Sequence, residues 1–202
     1  MTDASADLFA VVHRQRACRA FSSSPVADEL VAQVLDAATF APSAENRQPW
    51  EFVVVRDAAS RAAIGDLTAR AWTGGGRAFS EGRLSPKLLA EVEAGATGGV
   101  AGAPVTVVVC ADVARGLAQT VPSSMFPAIQ NLLLAATALG LGSALTTITT
   151  SFAAELRELL ALPESVLPVA VVPLGWPARP LGPPRRESFV SHTHRERYGE
   201  AW

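Results

Sequence analysis

Short apolar β-rich runs, separated by stretches of helical period, set the limits on what this 202-residue chain can fold into. Phe52-Val53-Val54-Val55 sits within Glu51 to Arg56, bounded by Pro49 and Asp57, and reads as a buried strand. Val105 to Cys110 and Val166 to Leu174 read the same way, and Ser143 to Thr150 has strand composition. Helical period marks Ala6 to Gln15, a segment opened by Asp28 and Glu29 and closed by Pro42, Ala58 to Arg70, and Phe152 to Leu162. Ser123 to Leu139 is the most apolar helix, with Gly140 as its stop signal. Strands and helices mix without a clean alternation, which points to α+β rather than a doubly wound parallel sheet. With 49% hydrophobic residues the chain can bury one full core, so residues 1–202 read as a single domain.

Two regions stand apart. Residues 71–102 are rich in Gly, Ala and Ser, open on Thr73 to Gly76, and carry one short helix near Pro86 to Glu93. They read as a loosely structured insert, a variable lid or binding loop. Residues 176–202 form an extended, proline-rich tail that cannot build its own core and must lie on something; a partner subunit is the obvious candidate.

Charge excludes some functions. The formal net charge is -2 with 18% charged residues, which does not suit a nucleic-acid binding surface. The arginines cluster instead, as Arg14, Arg16 and Arg19 near the start and Arg179, Arg185, Arg186, Arg195 and Arg197 near the end. Such patches in a slightly acidic chain indicate a local anion site. Cys18 and Cys110 form no Cys-x-x-Cys pair, so a reducing, cytoplasmic setting is expected. Asp3 and Asp7 stand where a secretory signal would carry positive charge. The longest apolar stretch, Leu132 to Leu145, is too short to span a bilayer. His192 and His194 lack the companions a metal needs and read as surface histidines, so no metal is expected. Gly140-Leu141-Gly142 lacks the third glycine of a dinucleotide fingerprint, and no phosphate loop or nucleophile elbow occurs.

One polar, turn-rich segment is wedged between an apolar helix and an apolar strand: Ala41-Pro42-Ser43-Ala44-Glu45-Asn46-Arg47-Gln48-Pro49-Trp50. Alone it reads equally as a plain connection with Trp50 plugging the core. Upstream lies Arg16-Ala17-Cys18-Arg19-Ala20-Phe21, whose arginines, three apart, can converge on one anion if they sit on a turn. Downstream come Gln130-Asn131 within an apolar helix, then Leu139 to Ser143, Leu174-Gly175-Trp176-Pro177, Arg185-Arg186 and Arg197-Tyr198-Gly199.

This ordered set resembles the nitroreductase family of flavoproteins, from about Arg14 to Trp202. The likeness is greatest to members with an Arg-Ala-x-Arg start and an Ala-Pro-Ser-x-x-Asn-x-Gln-Pro-Trp middle. The resemblance implies a central, mainly antiparallel sheet flanked by helices, and a homodimer with FMN at the subunit interface. It further implies a two-step cycle, in which NADH or NADPH reduces the flavin and an electron-poor acceptor, such as a nitroaromatic or a quinone, then reoxidises it. By position, Arg16 and Arg186 match phosphate-binding residues, with Arg185 a further candidate and Ala17 within the same motif. Arg19 matches the cation beside the flavin's pyrimidine edge. Pro42, Ser43, Asn46 and Gln48 match a loop contributed by the neighbouring subunit, and Thr146 and Thr147 match backbone contacts to the ring. Trp72, Phe79 and Phe126 are pocket candidates. The chain departs from many relatives at Gln15, Ala17 and Pro184, where Arg, Ser and Lys are common. Relatives also include dehalogenases, azole oxidases and a flavin-fragmenting enzyme, so an oxidase, or a flavin-binding dimer without turnover, stands as the alternative.

The residue types suit that cofactor. Guanidiniums bind a phosphate dianion through paired, charge-assisted hydrogen bonds, which favours Arg over Lys. A fixed cation at the pyrimidine edge stabilises the negative charge that hydride delivery leaves there, without proton transfer. On this reading no protein side chain is a catalytic acid, base or nucleophile.

Overall fold

The computed structural model describes residues 8–202. The expectations placed on Asp3, Asp7 and the start of the first helix at Ala6 lie outside them. The helices are α1 (Leu8–Arg14), α2 (Asp28–Thr39), α3 (Ala58–Ala71), α4 (Arg77–Ser80), α5 (Pro86–Ala94), α6 (Val100–Gly102), α7 (Val121–Ala138) and α8 (Ala153–Leu159). The strands are β1 (Trp50–Val55), β2 (Val105–Asp112), β3 (Gly142–Ser143) and β4 (Val166–Gly175). They form one sheet in the order β1-β2-β4-β3, every pairing antiparallel. This is the α+β architecture expected. Among the described residues no helix is long and apolar enough to cross a membrane.

Helices cover both faces of the sheet, which explains the unbroken valine runs. Successive strand side chains point to opposite faces. Val105, Val107 and Val109 pack with Val34, Ile129 and Leu132 of α2 and α7. Val108 and Cys110 pack with Ile64, Leu67 and Leu156 of α3 and α8. Alternation of apolar and polar residues, the mark of a sheet with one wet face, is therefore absent. At the end of α7, Leu141 N–H closes the helix on the carbonyl of Ala136 at 2.8 Å, with Gly140 at φ 78°, as the stop signal predicted.

Two expectations change. The strand expected over 143–150 reduces to Gly142–Ser143 plus a bridge between Thr146 and Val171. The register continues, but Ala144 falls opposite Pro173, which has no N–H to complete the next bonded pair. The chain then turns into a 3-10 helix at Ile148–Phe152. Residues 71–102 are mostly helical rather than loosely structured. Wide π-turns at Trp72–Gly76 and Gly95–Gly99 link α3 to α4 and α5 to α6. Glycine's low helix propensity hid this. Burial of Trp72, Ala96 and Val100 holds the segment against the body.

At the sheet end, residues 16–22 dock through isolated bridges, Ala17 to Ser143 and Phe21 to Pro177. Cys18 N–H donates to Ser143 O at 2.9 Å, and further along Ser22 N–H donates to Trp176 O at 2.8 Å. Ala178 N–H donates to Ala20 O at 3.0 Å. The seat is made by Gly142, where a Cβ would stand 2.6 Å from Cys18 Sγ and 2.7 Å from Cys18 Cβ. Gly142→Ala should therefore destabilise the protein by roughly 1–3 kcal/mol through overpacking. Gly182→Ala, where an added Cβ meets nothing within 4 Å, should be near neutral. Urea unfolding of both variants checks this; equal midpoints would refute the docking argument.

Candidate functional site

The docked segment brings the chain's two arginine clusters together. Gln15, Arg16, Ala17, Arg19, Arg185 and Arg186 line one cavity of about 680 Å³, with Ser85, Lys87 and Glu91 of the α5 region opposite. Arg16 donates to Gly182 O at 3.1 Å and lies 4.0 Å from the Glu91 carboxylate. Arg186 donates to Arg185 O at 2.9 Å and remains exposed, as does Arg185. Five cations face one carboxylate here, so the charge and the donor types of the cavity suit an anion. Lys87 is a functional candidate that the sequence did not single out. It sits within the variable stretch, and only the docking of α5 carries it to the arginines.

Arg19 stands at a junction. Its side chain lines this cavity, an adjoining one of about 340 Å³ reaching Arg179, and a third of about 260 Å³. Burial pulls its guanidinium below the usual value, opposed by the neighbouring Glu91 carboxylate. The third cavity is mainly apolar and includes Trp72, Phe79, Thr146, Ile148 and Pro173. Trp72 is 2% exposed, and its Nε1–H donates to Glu93 at 3.4 Å. Phe79 is 69% exposed, with the Arg83 guanidinium 4.2 Å from its ring centre. Cys18 lies beside the same cavity, its thiol pushed up by burial.

Other sequence candidates lie elsewhere. Thr146 is held by paired backbone hydrogen bonds with Val171, at 3.0 and 2.9 Å, whereas Thr147 is exposed and lines none of these cavities. Phe126 lies on α7, 43% exposed, and lines none either. Pro42, Ser43, Asn46 and Gln48 are likewise apart from the arginine cavity within this chain. Their loop is ordered by its own bonds: Gln48 N–H donates to Ser43 Oγ at 3.0 Å, and the Gln48 amide donates to Asn46 Oδ1 at 3.2 Å. Glu45, Asn46 and Gln48 adopt left-handed φ of 53°, 54° and 48°. Trp50 enters the core, while the polar residues before it stay outside. In the tail, His192 pairs with Glu187 at 3.1 Å and His194 packs on Tyr198.

Comparison with known proteins agrees with this architecture. The nitroreductase family profile matches residues 12–176. A candidate NADH dehydrogenase/NAD(P)H nitroreductase of Archaeoglobus fulgidus is 32% identical over 174 residues, covering 83% of each chain. The 5,6-dimethylbenzimidazole synthase of Rhodospirillum rubrum is 33% identical over 179 residues, covering 84% of this chain and 82% of that one. Among solved structures, a candidate nitroreductase from Desulfovibrio desulfuricans, in complex with FMN, superposes with a TM-score of 0.73 at 26% identity, covering 95% of this chain and 98% of that one. On fold, family profile and whole-length identity together, the chain belongs to the nitroreductase family of oxidoreductases.

Proposed function

We propose that this protein is an FMN-dependent oxidoreductase that passes hydride from NADH or NADPH to an electron-poor acceptor. The observation that carries the proposal is the meeting of Arg16 and Arg19 with Arg185 and Arg186 around one cavity, from opposite ends of the chain. The donor set fits the cofactor: several guanidiniums suit a phosphate dianion, and an adjoining apolar cavity suits a ring system. When bound, FMN supplies two-electron redox chemistry between the nicotinamide and the acceptor.

The protein's share is to bind, orient and tune. Arg16, Arg185 and Arg186 hold the phosphate, with Lys87 adding charge where Pro184 stands in place of the Lys common in relatives. Arg19 supplies the fixed cation at the pyrimidine edge. Thr146, its backbone N–H and C=O held by Val171, lines the cavity that suits the ring, whereas Thr147 lies outside that cavity. Pro42, Ser43, Asn46 and Gln48 do not reach the cavity of their own chain, which supports a homodimer in which the loop of one copy completes the site of the other. The exposed tail, with Tyr198 94% and Trp202 56% accessible, supports the same assembly. Segment 71–102, through Trp72 and Phe79, shapes the space for a small electron-poor acceptor such as a nitroaromatic or quinone. Nicotinamide and acceptor use one site in turn, which makes the cycle ping-pong, and a cytoplasmic setting suits such a cycle. The similar identity to a 5,6-dimethylbenzimidazole synthase, a relative not named a reductase, supports a second reading, an oxidase or dehydrogenase on the same scaffold.

Purified protein should be yellow, and NADH or NADPH should bleach its flavin under anaerobic conditions. A flavin that stays oxidised would favour the oxidase reading over the reductase. Arg16→Ala and Arg186→Ala should each weaken FMN binding by roughly 1.5–3 kcal/mol, the cost of a lost charge-assisted bond. Fluorescence titration of released FMN measures it, and unchanged affinity in both variants would remove the phosphate assignment.

A further inference from the structure

Arg19 reaches its place over a surface without side chains. At Gly95 an added Cβ would stand 2.6 Å from Arg19 Cδ, 2.9 Å from its Cγ and 3.1 Å from its Cβ. One helical turn on, a Cβ at Gly99 would stand 2.5 Å from Arg19 O. Both glycines lie in the π-turn Gly95–Gly99, and both have helical φ/ψ, so close approach and not backbone conformation demands glycine. Gly98, in the same turn, meets nothing within 4 Å, so the contact is confined to the face that carries Arg19. Beyond the packed stem, the guanidinium makes no hydrogen bond or ion pair among the described residues. Packing of the stem directs it, with the Glu91 carboxylate as its charged neighbour.

We propose that Gly95 is a positioning residue: by leaving no Cβ beneath the Arg19 stem, it sets where the guanidinium lies and thereby tunes the reduction potential of bound FMN. This rests on the FMN reading above. A partly buried cation acts strongly on nearby developing charge, because little water screens it, and that effect falls with distance. With no acceptor holding the guanidinium, a shift of the stem passes directly to the charge. The variable segment 71–102 thus acts on the cofactor as well as on the acceptor: its π-turn adjusts the potential through the place it leaves for Arg19.

The test compares Gly95→Ala, Gly98→Ala, Arg19→Ala and the double variant Gly95→Ala/Arg19→Ala as FMN-loaded proteins. Midpoint potential and FMN affinity are measured for each. Gly95→Ala leaves the phosphate arginines untouched, so the variant should still load with FMN. Its potential should shift to a more negative value, in the direction of Arg19→Ala and by less. Gly98→Ala should match the wild type. In the Arg19→Ala background, Gly95→Ala should add no further shift, because no stem remains to be moved. An unchanged potential in folded, flavin-bound Gly95→Ala overturns the proposal, as does a shift of equal size in the Arg19→Ala background. Should Gly95→Ala fail to fold, recovery on adding Arg19→Ala supports the contact, and failure of the double variant overturns it. A wild-type protein that takes up no FMN overturns the cofactor reading itself, a result separate from either outcome above.

Discussion

The seat made by two paired glycines at the end of the sheet is the contact on which the site depends. Gly142 and Gly175 face each other across β3 and β4. A Cβ at Gly142 would collide with Cys18, and one at Gly175 would stand 2.5 Å from Pro104 Cδ and 3.2 Å from the Phe21 ring. Residues 16–22 fill that space and are then held at successive points by Ser143 and by the start of the tail. The same docking carries Arg16 and Arg19 to the sheet end and brings Arg185 and Arg186 back beside them. One packing constraint therefore assembles residues from both ends of the chain.

The charge gathered there explains why it suits an anion. Arginine guanidiniums grouped around one carboxylate repel one another, and that repulsion is relieved when a phosphate enters. The ion pair the cavity holds, Arg16 with Glu91 at 4.0 Å, is long and partly exposed, so it competes weakly with a ligand. Gln15 and Pro184, which depart from many relatives, line this same cavity, and Lys87 adds a cation from a different element. The cations of the cavity are thus drawn from several elements of the fold.

Segment 71–102 shows how composition can mislead. Its glycines suggest a loop when propensity alone is weighed. In the fold, Gly95 and Gly99 permit backbone and side chain to approach closely, while Trp72, Ala96 and Val100 bury the segment. The same residues that weakened the helical pattern are those the packing requires. Ser143 to Thr150 misled in the opposite direction: its composition suits a strand, but the proline opposite Ala144 breaks the ladder.

Much of the scaffold was legible in the sequence because burial imprints itself on local pattern. The valine runs of β1, β2 and β4 and the apolar stripes of α2 and α7 announce elements covered by a core, and their order excludes a doubly wound fold. The arginine pairs and the Pro42 to Trp50 segment could be noticed in the chain, but their meaning came from resemblance rather than from any local rule. The sequence by itself determined the three long strands, the main helices and the clustering of its arginines. Only the tertiary structure decided that Arg16, Arg19, Lys87, Arg185 and Arg186 share one cavity, that the 42–48 loop stands away from it, and that glycines direct Arg19. Those facts depend on contacts between residues far apart in the chain, and close approach between such residues leaves no periodic trace in either segment.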